Sequence, residues 1–439
     1  MARTTEFPRA SVIEGVRFTA QVGVPNVIQG LFRKRELPTK VAGVARADLF
    51  GFMLIQGLVR KYGPGPFYVR VATDETLLIS DPADIELVLG GSPQPFASDP
   101  PAKKAGMTAF QPDALTLSRD DLWRNRRAFA ESVLQTGKPM HSLGARMVQV
   151  AGEEAAVLTG EIGYAELNAS FQRLTRRVVF GDAAADDTEL TDLLGTLMSA
   201  GNRTPGKAAK GYDELVERIS AYVDAGEKGS LAALVAKAPH DEETAVPGQL
   251  VHWLFAMGDT LPANLARTLA LLGSHPEQRR EVYAELEGVD VSDAKAVAAL
   301  DYLGGTIQEA MRLWPTTPMF GRVATTDVTF PDGRVLPAGT QVLLSNLFNH
   351  RDPDRVPYAD RFAPGEWASG DAAKSWSFNF FSHGPQGCPG AGMSVFLGQA
   401  FLAALLRRAT PALVSPSLNP TKPLPHGLDL FAIRIGLTA

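Results

Sequence analysis

Residues 380–393 read FFSHGPQGCPGAGM, and this loop together with the apolar stretch after it constrains the fold more than any other part of the chain. Beyond Cys388 the apolar residues Met393, Phe396, Leu397, Ala400, Phe401, Ala404 and Leu405 recur at helical spacing, predicting a buried helix over 391–408 that ends near Thr410, ahead of Pro411. Gly384, Gly387 and Gly390 let the loop turn where a side chain would obstruct it. The thiol therefore sits at the mouth of a buried helix, where N-terminal amides favour an anionic sulfur. Cys388 is the only cysteine in 439 residues, so neither an internal disulfide nor a multi-cysteine metal cluster can form. Three readings of the thiol stay open on these residues alone: a buried structural cysteine, a nucleophile paired with His383, or an axial thiolate ligand of haem iron.

The rest of the chain reads as mostly helix with a few short strands. "FYVRVA" (67–72) and "TLLIS" (76–80) predict a hairpin around Asp74 and Glu75, and Asp81 with Pro82 opens a helix over 81–89. Residues 90–118 are rich in Pro, Gly, Ser and Asp and read as a long loop, a length that is usually functional. From about 119 to 310 the pattern is helical, with breaks near Gly181, Thr204–Gly206, Gly226–Gly229 and Pro239. Short strands return over 322–346, and 351–390 is irregular. A hydrophobic fraction of 45% with 21% charged residues is an ordinary globular balance, and no linker divides the chain. The expectation is a mainly α fold with small β-sheets (α+β), one domain over 1–439, with residues 1–50 as an N-terminal arm packed on the body. A net charge of −5 argues against nucleic-acid binding. The apolar stretch 11–32 is interrupted by Glu14, Arg17, Gln21, Pro25, Asn26 and Gln29, so it predicts a surface helix or strand-like arm rather than a transmembrane segment. A cytoplasmic location is expected from the lone thiol and the lack of a visible secretory signal.

The loop Phe381-Ser382-His383-Gly384-Pro385-Gln386-Gly387-Cys388-Pro389-Gly390 resembles the haem-binding loop of the cytochrome P-450 family, with Phe381, Gly384, Cys388 and Gly390 at its anchor positions. Four further segments resemble the family in order. Glu309 and Arg312 in "TIQEAMRLWP" match its Glu-x-x-Arg helix, which braces the cysteine loop. Residues 250–276 look like one long helix, extending about 39 Å at 1.5 Å per residue, and resemble the family's central helix with Ala256, Met257, Gly258, Asp259 and Thr260. Trp123 and Arg127 match its Trp-x-x-x-Arg helix, and His350-Arg351-Asp352-Pro353 with Phe362-x-Pro364 match the stretch before the loop. Arg322 matches a second position that meets a haem propionate.

The resemblance implies a soluble bacterial-type haem-thiolate monooxygenase with the family's triangular prism fold. It implies haem b (iron-protoporphyrin IX) as cofactor, Cys388 as the iron ligand, and Trp123, Arg127, Arg322, Phe381, Gly384 and Gly390 as further cofactor-binding residues. Thr260 and Asp259 would manage protons, with Glu309 and Arg312 as a structural brace. Ala256, Met257, Leu261, Thr317, Met319 and Phe320 would line the substrate pocket, which suits a mostly apolar small organic substrate that is hydroxylated or epoxidised by dioxygen. Electrons would come from a separate ferredoxin and ferredoxin reductase, with Arg124 and Arg126 either part of a docking face or a solvated helix face. Two alternatives stay open: a haem-thiolate peroxygenase or isomerase needing no redox partner, and a non-enzymatic haem-binding sensor.

Three residues depart from the family pattern. Gln386 stands where His or Arg usually meets a propionate, so Arg127 and Arg322 are expected to carry more of the anchoring. Glu366 stands where an Arg often braces the Glu309–Arg312 pair. Pro262 has no N–H for the carbonyl of Gly258, predicting an opened or kinked turn.

Overall fold

The computed structural model describes residues 6–30, 32–138, 140–203, 206 and 210–438. The largest apolar cluster forms around the most apolar helices. Twelve consecutive residues, Leu261 to Leu272, are buried, and a helix buried all round must run through a core rather than along a surface. The helix Ala391–Leu406 is nearly as enclosed and packs along the helix Gly144–Ala156. The helix Asp301–Leu313 joins them, and Gly398 permits the approach: a Cβ there would stand 3.0 Å from Ile307 Cδ1.

Ten strands lie among the described residues: β1 Phe67–Val71, β2 Asp74–Ile79, β3 Phe96–Ala97, β4 Gly160–Gly163, β5 Met319–Ala324, β6 Val328–Thr329, β7 Val335–Leu336, β8 Gln341–Ser345, β9 Thr410–Ser415 and β10 Arg434–Thr438. They form a five-stranded sheet in the order β1-β2-β8-β5-β3, a three-stranded sheet β4-β10-β9 and the pair β6-β7. β2 and β8 run parallel, and β5 folds back antiparallel on β8 with Arg322 opposite Val342. The mainly α fold with small sheets matches the expectation.

Local details differ from the sequence reading. The first hairpin turns at Ala72 and Thr73, with Ala72 at φ +54° and Val71 paired with Asp74, so Asp74 and Glu75 are already strand. The stretch 90–118 is not one loop. It holds β3, the helix Pro101–Met107 and a tight turn at Leu115–Leu117. β4 interrupts the helical region, and Thr204 and Pro205 of one expected break lie outside the described residues. The last long helix stops at Leu406 because Thr410 begins β9.

The N-terminal arm is helical, with Val12–Phe18, Val24–Gln29, Glu36–Val44 and Ala47–Tyr62 as its main elements. Phe18 and Val22 pack with Ile55 and Leu58 against Phe67 and Phe348. Much of its apolar surface stays outside, however. Among the described residues, eleven of the fourteen exposed large hydrophobics fall between Val12 and Met53. Among the described residues no single helix is long and apolar enough to cross a membrane; Glu36–Val44 and Ala47–Tyr62 reach that length and composition only together, across a 58° bend.

Candidate functional site

The cysteine loop is held from three sides. Gly384 has φ +67°, and a Cβ there would meet the carbonyl oxygen of Leu89 at 2.2 Å, so only glycine fits. The backbone N–H of Cys388 donates to Phe381 O (2.8 Å), Arg127 Nη1 donates to Gly387 O (2.6 Å), and Thr136 Oγ1 donates to Pro389 O (2.7 Å). Cys388 is open to solvent-sized contact yet enclosed by protein at longer range, so it faces an internal hollow. Burial pushes its thiol pKa up, opposed by the Gly390 N–H and the charge of Arg127. The helix-end effect anticipated from sequence is therefore outweighed by desolvation. His383 Nε2–H donates to Phe378 O (2.8 Å), the ring lies against Trp376, and among the described residues no hydrogen bond joins it to Cys388, so nothing in the structure supports the nucleophile reading.

Two arginines bond to the cysteine loop. Arg322, fully enclosed on β5, donates to Ser92 Oγ (3.1 Å), Ser382 Oγ (3.1 Å) and Gly321 O (3.1 Å). No carboxylate pairs with it among the described residues, and burial lowers its pKa to about 10. Arg127 pairs with Glu131 (2.7 Å) beside its bond to the loop, and Trp123 on the same helix packs partly buried against the core. The side-chain amide of Gln386 is buried with neither atom partnered among the described residues. Arg126 is a correction: it points inward, to Ser118 Oγ (3.0 Å) and Glu243 O (3.1 Å), and belongs to no surface face. Its neighbour Arg124 is exposed and paired with Asp121.

Glu309 and Arg312 are both fully buried and joined by two bonds of 2.7 Å. The remaining Arg312 donors reach the carbonyls of His350 (2.9 Å), Ala359 (3.0 Å) and Arg361 (3.0 Å). Glu309 also accepts from the Ala363 N–H (2.9 Å) and from Trp367 Nε1 (2.8 Å). The partner missing at Glu366 is thus replaced by its neighbour Trp367 and by backbone. A neutral indole serves because the pair is already balanced in charge.

The long helix expected over 250–276 runs from Val246 to Ser274 but opens in the middle. Val246–Phe255 and Leu261–Ser274 are α-helical, and Ala256–Thr260 between them is a wider π-type turn. The cause is Pro262. The Gly258 carbonyl, denied its N–H, accepts instead from Asn168 Nδ2 (2.9 Å) and Gln172 Nε2 (3.0 Å) of the helix Tyr164–Phe180. A Cβ at Gly258 would stand 2.7 Å from Gln172 Oε1, so a larger residue here would displace the Gln172 side chain. Gln172 Nε2 also reaches Asp259 Oδ1 (3.3 Å), and burial pushes the Asp259 carboxyl pKa up. His252, Phe255, Ala256, Asp259 and Thr260 form the partly accessible side of this helix. Met257 and Leu261, expected in the pocket, face the core instead, with Leu261 Cδ1 beside Gly398. Thr317, Met319 and Phe320 are partly exposed, with Met319 packed toward the N-terminal cluster and Phe320 toward the β-sheet cluster, so the structure does not bring the six expected pocket residues together.

Residues 213–425 match the family model described as cytochrome P450. Over those residues the chain matches the cytochrome P450 family. Among curated P450 relatives, cytochrome P450 4c3 of Drosophila melanogaster is 30% identical over 202 residues, 43% of this chain and 38% of that protein. Cyclooctat-9-en-7-ol 5-monooxygenase of Streptomyces melanosporofaciens is 32% identical over 189 residues, 39% of this chain and 40% of that protein. The matched stretch thus spans about two-fifths of each relative's length. The solved structure of cyanobacterial CYP120A1 with retinoic acid bound shares the P450 fold, with a TM-score of 0.70 at 19% identity, over 87% of this chain and 93% of that one.

Haem b is the cofactor of the family, and the residues of this chain fit it. Among the described residues, a thiol opens on an enclosed hollow, a buried arginine lacks a carboxylate, and a buried amide lacks any partner. Each is a group that a flat dianionic macrocycle with an iron centre would satisfy. Sequence reasoning missed Asn168 and Gln172, and also His252, which lies two turns before Thr260 on the accessible side. The i, i+4, i+8 spacing of His252, Ala256 and Thr260 was the available signal.

Proposed function

We propose that this chain is a single haem domain over 1–439 acting as a haem-thiolate monooxygenase, which oxidises a mostly apolar small organic substrate with dioxygen. The observation that carries this reading is the Cys388 thiol opening on an enclosed hollow flanked by Arg127 and by Arg322, a cation without a carboxylate partner. Cys388 would ligate the iron. Arg322, Arg127 and Trp123 would anchor the propionates, and Phe381, Gly384 and Gly390 would shape the loop around the ligand. When bound, haem supplies the activation of dioxygen, favoured by electron donation from the thiolate.

The chain's own groups then manage protons and shape. Thr260, at the end of the widened turn, would hold a hydrogen bond toward the reacting centre. Asp259, whose carboxyl burial keeps readily protonated, would pass protons to it from the Gln172 side. Ala256 and Phe255 would present apolar surface to the substrate. Electrons would come from a separate ferredoxin and its reductase. The named monooxygenase relative supports the reaction class, and the retinoic acid in the cyanobacterial structure supports an extended apolar ligand.

The test is the ferrous carbon monoxide complex of the haem-loaded protein. A strongly red-shifted Soret band that Cys388→Ser abolishes is the expected result. A wild-type protein that takes up no haem, or a complex without that shift, overturns the proposal.

A further inference from the structure

A second set of polar groups lies against the first half of the central helix. Lys103 lies half-buried on the helix Pro101–Met107, where desolvation dominates the surroundings of its ammonium. Its Nζ donates to Ser98 O (2.9 Å) and Thr116 O (3.0 Å), which leaves one of its three N–H donors over. Among the described residues no carboxylate is bonded to it. Asp99, its nearest acidic neighbour in charge, is taken by Arg119 at 2.8 Å.

The stretch carrying Thr116 is fastened to the central helix by named contacts. Gln249 accepts from the Leu115 N–H (3.1 Å) and donates to Asp113 O (2.7 Å), and Phe110 meets Phe255 edge-on at 5.9 Å between centroids. His252 Nδ1 and Gln111 Oε1 are 2.7 Å apart. Gln111 is fully buried, and its Nε2 has no partner among the described residues; the buried Thr116 Oγ1 has none either. Either orientation of the Gln111 amide leaves one donor of the pair free. As placed it is Gln111 Nε2, and with the amide turned it is His252 Nε2–H.

We infer that Lys103, with the Gln111–His252 pair and the Thr116 hydroxyl, forms a subsite for a carboxylate on an otherwise apolar substrate. The inference rests on the monooxygenase reading and adds a chemical class to its substrate. Lys103 bonds the backbone of Thr116 and its charge acts on His252, so the groups are neighbours; donors carrying one positive charge match the two oxygens and single charge of a carboxylate, whereas a dianion would leave buried charge uncompensated. Burial and the charge of Arg322 lower the Lys103 pKa to about 7, so an anionic partner is what keeps this ammonium protonated. A haem propionate is the other carboxylate that could reach this lysine. Lys103 feels the charge of Arg322, but its bond to Thr116 and its charge acting on His252 also place it beside the accessible side of the central helix, and that second neighbourhood favours the substrate.

The experiment uses the ferric haem-loaded protein, titrated with a straight-chain fatty acid and a monocyclic terpene acid, each against its methyl ester, while the Soret band is followed. The expected result is that at least one acid binds about tenfold or more tighter than its ester, and that Lys103→Met removes this preference while leaving ester affinity and haem content unchanged. Gln111→Leu, which keeps the cation, should weaken acid binding a few-fold. Esters binding as tightly as acids, no acid binding at all, or a preference that survives Lys103→Met would overturn the inference. Faster haem transfer from Lys103→Met to apomyoglobin would overturn it too, assigning Lys103 to the cofactor. A wild type lacking the thiolate carbon monoxide spectrum would instead fail the monooxygenase reading beneath it.

Discussion

Replacing Arg312 by Met removes the centre of the most enclosed ion pair in the molecule. The size of the loss can be worked from the bonds around it. Arg312 makes two bonds to Glu309 and reaches three or more backbone carbonyls, all at full burial, so its removal leaves a buried carboxylate with only the Ala363 N–H and Trp367 Nε1 as partners. Breaking a buried pair from one side costs about 3–5 kcal/mol. Glu309→Leu should cost a similar amount, since it strands a guanidinium on carbonyls alone. The double variant leaves no charge behind, only neutral groups. Its loss should therefore fall short of the sum of the singles by about 2 kcal/mol or more, within the range of measured couplings. Trp367→Phe removes one bond to a charged group and should cost about 1.5–3 kcal/mol. The assay is urea unfolding followed by far-UV circular dichroism at one pH and salt concentration. If the two single losses simply added in the double variant, charge compensation would not be what this pair does, and the assignment of Trp367 as the replacement brace would fall with it.

Thr260→Ala should keep haem content and divert reducing equivalents into peroxide; an unchanged ratio of product to NADH consumed removes Thr260 from proton management. Arg322→Leu should release haem to apomyoglobin faster than Arg127→Leu, because Arg127 also has Glu131 and the Gly387 carbonyl to answer to, while Gln386→Ala should differ little from wild type. The reverse order would misplace the propionate clamp. Gly384→Ala forces a Cβ onto the Leu89 carbonyl, so the purified protein should carry clearly less haem per chain; an equal ratio of haem to protein contradicts the packing. His350 is buried, accepts from the Asn379 N–H at 2.8 Å and donates to Arg312 O at 3.2 Å, and its pKa is lowered to about 3. Between that value and the unfolded pKa of about 6.5, only the unfolded chain binds the proton. Its stabilising contribution is therefore complete above pH ~6.5 and declines as pH falls toward ~3. His350→Gln should flatten the acid limb of stability against pH, and an unaltered slope would show that this histidine does not titrate on unfolding.

Chemistry confined to one short segment is legible in the chain itself. The cysteine loop, the Glu309–Arg312 spacing and the Gly258–Thr260 turn are contiguous, and the missing N–H of Pro262 already signals that the central helix must open. Partners supplied from elsewhere carry no such signal. Asn168 and Gln172 stand 90 and 86 residues from the Gly258 carbonyl they satisfy. The replacement of the expected Arg at Glu366 by Trp367 depends on which side chain of a one-turn helix faces inward, a matter of packing rather than motif. Arg126 looks like a surface residue by its charge, although it precedes Phe129 and Ala130 by three and four residues on the buried stripe, where periodicity outweighs charge. Lys103 gives no warning because a lysine in a Pro- and Gly-rich stretch looks like solvent-exposed loop until the chain folds over it.

The opened turn at Ala256–Thr260 joins two halves of the central helix that share the helix Tyr164–Phe180 but otherwise pack against different neighbours. Val246–Phe255 packs with Thr188–Arg203 and Tyr212–Ala225, while Leu261–Ser274 packs with Asp301–Leu313, Ala391–Leu406 and β9. The helix bonds are interrupted where the halves meet, so the two need not unfold as one unit. Amide hydrogen exchange should find the second half protected to nearly the full stability of the molecule and the first half exchanging through smaller openings shared with the helices it touches. The first half can then loosen without disturbing the half packed against the helix that follows the cysteine loop. The joint between them is set by one proline and by two amides on a neighbouring helix.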